Sequence, residues 1–373
     1  MDLHTLPTPA ALLDEARMQH NIGHMQARIS ALGARLRPHV KTAKCVPVAQ
    51  MQIAAGAQGI TVSTMKEAEV FFDAGFNDIL YAVCIAPPKL AQAQALRERG
   101  CALTVVVDSL AAARAVVAGG HRFDVMVEVD SDGHRAGVKP DSDLLLQVGR
   151  TLHGGGATLK GVMTHAGASY ECRTPQALQA MAEQERSRCV QAAERLRAAG
   201  LPCPAVSVGS TPTALSALQL QGVTEVRAGV YVFHDLVMHG VGVCRIDEIA
   251  LSVLTTVIGH QAERGWVLVD AGWMAMSRDR GTHDHAVDHG YGAVCDEQGA
   301  CIEGLIMGSA NQEHGILCWR DGRADAGLSA RFPIGARLRV LPNHACATAA
   351  QFPGYELIGA DGRTRHLPRF YGW

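Results

Sequence analysis

The chain has 373 residues, 48% hydrophobic and 19% charged, and its 34 Lys and Arg against 36 Asp and Glu leave a formal net charge of -2. So even a balance excludes recognition of nucleic acid or of an anionic membrane surface through basic charge, and points to a small-molecule partner. The length suits an α/β barrel accompanied by a smaller second domain.

No apolar run reaches the roughly 18 residues of a membrane span, and MDLHTLPTPAALLDEARM lacks the basic flank and apolar stretch of a secretory signal, so a cytoplasmic location is expected. The eleven cysteines are an odd number spread along a long chain, and a disulfide framework is not expected.

Along the chain, LHTLPTPAALL (3–13) carries two prolines and reads as a segment that begins in the second domain, with a strand from about residues 1–11. Eight short runs rich in Val, Ile and Leu then precede residue 231: 34–40, 59–62, 79–83, 103–107, 124–129, 159–165, 205–210 and 225–230. Helical stretches are expected between them at 44–55, 65–74, 87–99, 109–118, 141–152, 175–199 and 213–219. Continuous apolar strands need both faces covered and parallel crossovers need helices, so the pattern predicts a closed (β/α)8 barrel over 12–240, with a doubly wound open sheet as the alternative. From 241 to 373 the texture changes to strand-like runs between Gly, Asp and His turns, which predicts a mostly β C-terminal domain.

Functional groups of such a barrel gather at the C-terminal ends of its strands. The first strand ends in RPHVKTAKC, where Lys41 would stand at a mouth with apolar walls. Desolvation there favours a neutral, nucleophilic amine; the plainer alternative is an ion pair with a carboxylate. Lys44, further on, is expected to face solvent or a phosphate. SVGSTPT (207–213) opens a helix with capping Ser and Thr and an early proline, an arrangement whose amides can face an anion, though an ordinary capped helix has the same features. EVRAGVY (225–231) adds Gly229 at the last strand, where backbone can approach the same anion. In RLRVLPNHACAT, an extended backbone would put His344 and Cys346 on one side, suited to zinc first and to cobalt or manganese next. The loop GTHDHAVDHGYG (281–292) is a competing metal candidate through His283, His285 and His289, or simply a solvated turn.

Together TPAALLDEARMQHNI, LRPHVKTAKC, VEVDSDGHRAGV, THAGASY, VGSTPT, EVRAGVYVFHD, VDAGWMAMSRDRG and LPNHACAT resemble the metal-activated pyridoxal enzymes related to D-serine dehydratase and D-threonine aldolase, which share the alanine-racemase-like fold. The resemblance runs in order over almost the whole chain. It implies pyridoxal 5′-phosphate bound covalently through Lys41, with Ser210, Thr211, Gly229, Val230 and Tyr231 around its phosphate and Arg135 near its ring oxygen. Arg227 would face the pyridine nitrogen; being always charged, it disfavours protonation there, so part of the carbanion stabilisation must come from elsewhere. His165 and Tyr170 are implied as base and substrate-orienting residue. A divalent cation (zinc first, with manganese, cobalt or magnesium as alternatives) on His344 and Cys346 would act on the β-hydroxyl of a D-amino acid.

The HxC pair matches the dehydratase branch, where the aldolase branch shows His-x-Asp. Ala43 stands where relatives have histidine in KTHK. The resemblance therefore predicts dehydration of a β-hydroxy-D-amino acid to a 2-oxo acid and ammonia, with retro-aldol cleavage, racemisation or a non-catalytic carrier of the cofactor as alternatives. A homodimer is implied as well.

Overall fold

The computed structural model describes residues 3–120 and 122–373. Met1 and Asp2, at the head of the expected N-terminal strand, and His121 lie outside the described residues. The chain packs into two compact units, one of residues 24–229 with 372–373 and one of the stretch up to Gly23 with 230–371.

In chain order the strands are β1 (Ala10–Asp14), β2 (Arg35–Leu36), β3 (Ile60–Val62), β4 (Asp78–Cys84), β5 (Ala102–Val107), β6 (Asp124–Glu128), β7 (Thr158–Met163), β8 (Ala205–Val208), β9 (Glu225–Val226), β10 (Leu251–Gln261), β11 (Trp266–Val269), β12 (Gly292–Cys295), β13 (Cys301–Ala310), β14 (Gly315–Trp319), β15 (Arg337–Pro342), β16 (Gly354–Ile358) and β17 (Thr364–Pro368).

The first unit is the parallel barrel. Its eight strands follow the order β2-β9-β8-β7-β6-β5-β4-β3, and a parallel bridge between His39 and Thr61 joins the two ends. Pro38 has no N–H to give and interrupts regular pairing of the first strand after Leu36. Its line is nevertheless carried to residue 40, because His39 N–H donates to Ala228 O (2.8 Å) and Val40 N–H to Thr61 O (2.9 Å). Val105, Val106, Val107, Val125 and Val127 are fully buried, as strands covered on both faces require. The seven expected helices form between these strands, at Val46–Ala54, Met65–Asp73, Leu90–Glu98, Leu110–Ala118, Asp143–Gly154, Pro175–Ala198 and Thr211–Ser216. Thr64, Ser109, Ser142 and Thr174 each cap a helix start by accepting a backbone N–H. A further helix, Glu15–Ala31, was not anticipated as an element of its own.

The second unit is built on one sheet of order β11-β14-β13-β12-β15-β10-β1-β16-β17, and an added β10–β11 pairing rolls six of these strands into a closed antiparallel barrel. The long strand β10 makes this possible, since Val253–Thr256 pair with β15 while Val257–Gln261 pair with β11. The N-terminal strand β1 lies beside β10 antiparallel and beside β16 parallel. Among the described residues no helix is long and apolar enough to cross a membrane, and none of the eleven cysteines is in a disulfide.

Candidate active site and metal centre

The barrel unit gathers its polar groups where strands end. Beyond β7 come Thr164 and His165, beyond β8 Gly209 and Ser210, beyond β9 Arg227 and Gly229, and beyond the first strand Lys41. Lys41 is exposed, so the desolvation by apolar walls expected for it is not found in the chain. No carboxylate among the described residues lies within ion-pair distance of it, which removes the plain structural alternative. Lys44, by contrast, turns through a left-handed backbone (φ 44°) and pairs with the buried Glu67 at 3.3 Å, so its ammonium is engaged by a carboxylate of the chain instead of facing open solvent.

His39 sits among Lys41, Arg227 and His165. Burial, and then the positive charges of Lys41 and Arg227, hold its imidazole well below the ordinary value. Its Nδ1 is buried without a hydrogen-bond partner among the described residues. Burial also lowers His165 to about 4, with Lys41, Arg227 and Arg135 adding to the effect and a backbone hydrogen bond opposing it. Since the partner of Nδ1 is the Gly209 carbonyl at 3.0 Å, Nδ1 carries the proton and Nε2 keeps its lone pair. The Tyr170 ring lies 6.3 Å from that of His165, tilted by 50°. Arg135 is exposed and stands 3.8 Å from Glu128.

Arg227 is fixed by a buried chain of bonds. It donates to Ser207 Oγ and to Thr164 O, both at 2.6 Å, and Ser207 in turn donates to Glu225 at 2.7 Å. Burial would raise the Glu225 carboxyl, but Arg37 and Arg35 outweigh it and hold the group at about 2. Arg227 is itself lowered by burial, with Glu225 and Glu185 opposing.

The segment Gly209–Thr213 is a rigid capped start. Ser210 accepts from Thr213 N–H at 3.2 Å, Thr213 Oγ1 accepts from Ser210 N–H at 3.0 Å, and Ser169 and Ser210 share a hydroxyl contact of 2.8 Å. Gly209 has φ +135°, and a Cβ there would lie 2.4 Å from Arg227 O, so only glycine lets this backbone pass. Behind it Glu185, which the sequence did not single out, accepts from Gly209 N–H (3.1 Å) and Ala166 N–H (2.8 Å). A Cβ on Gly229 would meet His39 O at 3.0 Å and Thr42 Oγ1 at 3.3 Å, so its lack of a side chain lets the last strand's end lie against the first's. Thr211 is buried beside Ser210; Val230 and Tyr231, next in the chain after Gly229, are buried in the second unit.

In the second unit the backbone at His344 differs from expectation. Residues 344–346 are not one extended run: His344 is extended but caps a short helix, Ala345–Ala349, so Cys346 lies in its first turn. The two side chains still meet, through a hydrogen bond between them. His344 Nδ1 is 2.6 Å from Asp279 Oδ2, a bond in which the ring nitrogen donates, so Nε2 is the nitrogen not used by this bond. Burial alone would lower His344, but Asp279, Cys346 and Asp235 more than reverse it and carry it to about 11; the same bond holds Asp279 below the usual carboxylate range. A cation at Nε2 and Sγ would take the place of that proton. An imidazole, a thiolate and a carboxylate behind the imidazole are the donor chemistry of a divalent metal site with open positions.

Among the described residues no group of three or more His, Cys, Asp or Glu is arranged to hold a metal, so His283, His285 and His289 do not form the competing site. His283 is exposed beside Asp288 at 3.5 Å, and burial lowers His289 to about 4.

Asn343 ties this centre together. Its amide donates to Gly290 O (2.7 Å) and Asp279 O (3.1 Å), while its oxygen accepts from Thr282 Oγ1 (3.0 Å). Asn343→Ala would leave these buried partners unsatisfied, and urea unfolding should show a loss of about 2–3 kcal/mol. His165 gives a pH prediction. Its folded value of about 4 lies below the roughly 6.5 of an unfolded histidine, so the unfolded chain takes the proton first on acidification. Stability from the neutral ring is thus complete above the unfolded value and is lost as pH falls toward the folded one. Proton NMR should titrate this ring near its folded value, and the acid slope of stability should shrink in His165→Gln.

Two protein families match the chain: "Alanine racemase, N-terminal domain" over residues 13–236 and the serine dehydratase domain over residues 250–358. A D-threo-3-hydroxyaspartate dehydratase of Delftia sp. (strain HT23) is 64% identical over 376 residues, covering 100% of this chain and 99% of the relative. A D-serine dehydratase of Dictyostelium discoideum is 30% identical over 97% of this chain and 96% of its own. The solved structure of a D-threo-3-hydroxyaspartate dehydratase variant, described as its metal-free form, superposes with a TM-score of 0.99 at 63% identity and covers 100% of both chains.

Proposed function

The chain belongs to the D-serine dehydratase-like family of the alanine racemase fold, and from that premise we propose that it is a lyase dehydrating β-hydroxy-D-amino acids, D-threo-3-hydroxyaspartate foremost, to a 2-oxo acid and ammonia. The reading rests on the full-length match to a dehydratase at 64% identity.

Pyridoxal 5′-phosphate would be held through Lys41 of the barrel unit, with Ser210, Thr211 and Gly229, and Val230 and Tyr231 directly after Gly229 in the chain, as its phosphate residues and Arg135 and Arg227 as its ring residues. Two observations fit that group: among the described residues Lys41 has no carboxylate partner, and the buried His39 Nδ1 has no hydrogen-bond partner. The β unit would hold a divalent cation, zinc first, on His344 and Cys346. Bound there, the cofactor supplies an electron sink at substrate Cα and the cation a Lewis acid for the β-hydroxyl.

The chain's own residues do the rest. Lys41 moves the proton at Cα. Neutral His165 presents the Nε2 lone pair to a substrate proton, and the Gly209 carbonyl keeps its ring from turning. Tyr170, packed by that ring, orients the substrate. Arg227 keeps its proton and is held by Ser207 and Thr164, so beside a bound pyridine ring it would disfavour protonation of the ring nitrogen. Asp279 aims His344.

The working form is proposed to be a cytoplasmic homodimer. Incubating purified enzyme with D-threo-3-hydroxyaspartate, D-serine and D-threonine and assaying 2-oxo acid against glycine tests the reading. Glycine and an aldehyde as the only products would replace it with retro-aldol cleavage, and interconversion of D- and L-alanine in the presence of chelator would replace it with racemisation.

A further inference from the structure

Cys295 and Cys301 take no part in the chemistry above, yet the β unit sets them face to face. They are direct register partners across β12 and β13. The turn between them fixes which kind of pair they form. Asp296 N–H donates to Ala300 O (3.0 Å) and Gly299 N–H to Asp296 O (3.1 Å), with Gly299 left-handed at φ +89°. This is a tight turn closed by a glycine bulge, so Asp296 and Ala300 are the hydrogen-bonded pair that closes the hairpin. The next pair out is therefore of the non-hydrogen-bonded kind, in which antiparallel strands bring Cα atoms to about 4.5 Å and side chains closest. That separation lies inside the range of roughly 4.4–6.8 Å that a disulfide spans.

The two thiols also differ in access. Cys295 is fully buried, whereas Cys301 is exposed. Their mutual hydrogen bond holds Cys301 below the ordinary thiol value against the opposing effect of burial, and together with burial it pushes Cys295 above that value. Cys301 is thus the attacking thiol and Cys295 the resolving one.

We propose that Cys295 and Cys301 form a dithiol site that closes to an intramolecular disulfide by exchange with a small-molecule disulfide. Cys301 thiolate attacks one sulfur of the reagent, and the reagent's S–S bond breaks to release one thiol. Cys295 then attacks Cys301 Sγ and releases the second. Two protein thiols are oxidised, one reagent disulfide is reduced to two thiols, and the two protein protons end on those thiols.

The full-length chain, freshly reduced, should be incubated with oxidised glutathione, alkylated with iodoacetamide and digested. The peptide carrying both cysteines is expected two hydrogens lighter and unalkylated, with the other nine cysteines of the eleven unchanged. Cys301→Ser should abolish closure, while Cys295→Ser should leave Cys301 trapped with glutathione attached. Alkylation of both residues, a stable glutathione adduct on Cys301 in the unaltered chain, or a bridge to any other cysteine would overturn the proposal. Ordinary turnover by both variants before oxidation shows that they are folded.

Discussion

Replacing Lys41 with alanine abolishes covalent retention of the cofactor and lowers turnover by about 10³-fold or more, because one amine serves both as attachment point and as base at Cα. Borohydride reduction followed by whole-protein mass measurement reads the first effect and 2-oxo acid formation the second. Lys41 has no ion-pair partner among the described residues and is exposed, so its removal leaves no buried charge behind and the barrel should unfold in urea as the unaltered chain does. A Lys41→Ala protein that still carries the cofactor after reduction would move the attachment to another amine. Lys44 is poorly placed for that role, because Glu67 already holds its ammonium at 3.3 Å.

The second large effect is at the other unit. Cys346→Ala removes one of two protein donors, so bound metal should fall to a trace by elemental analysis while cofactor absorbance is retained. Turnover should drop by about 10²–10³-fold, the value of several kcal/mol of Lewis-acid stabilisation. Asp279→Asn should fall between the two, with metal affinity about 10–100-fold weaker, since the residue orients a ligand without being one. If Cys346→Ala bound metal normally, the donor set would have to lie elsewhere in the β unit.

The alternation of strand and helix was legible because strands such as Ala102–Val107 are apolar for most of their length, and both faces of Val105–Val107 are indeed covered. Strand ends alone placed Lys41, the segment around Ser210, and Gly229 before any geometry was known, whereas His165 and Arg227 were singled out by the family resemblance. Helix Glu15–Ala31 was harder to see. Its buried stripe of Met18, Ile22, Met25 and Ile29 is thin and set among Gln, His, Asn and Gly. The conformation at His344 was illegible for a different reason. It is set by partners far off in sequence, as Val237 N–H donates to Asn343 O (3.1 Å) and Asp235 accepts from Ala345 N–H (2.8 Å). The same holds for Asp279 and Glu185, carboxylates whose roles appear only once distant loops are brought to them.

One consequence of the sheet order concerns how the molecule is made. Strand β1 is made before every strand of the parallel barrel, yet its neighbours are Leu251–Leu254 and Glu356–Ile358, which follow that barrel in the chain. The parallel barrel between them can complete its own ring from residues already synthesised, whereas β1 must wait, unpaired, until β10 has been made beyond that ring. Contacts so remote along the chain close late. The β unit is therefore expected to become protected from hydrogen exchange after the parallel barrel during refolding, and a nascent chain halted before β10 should leave β1 open to proteases.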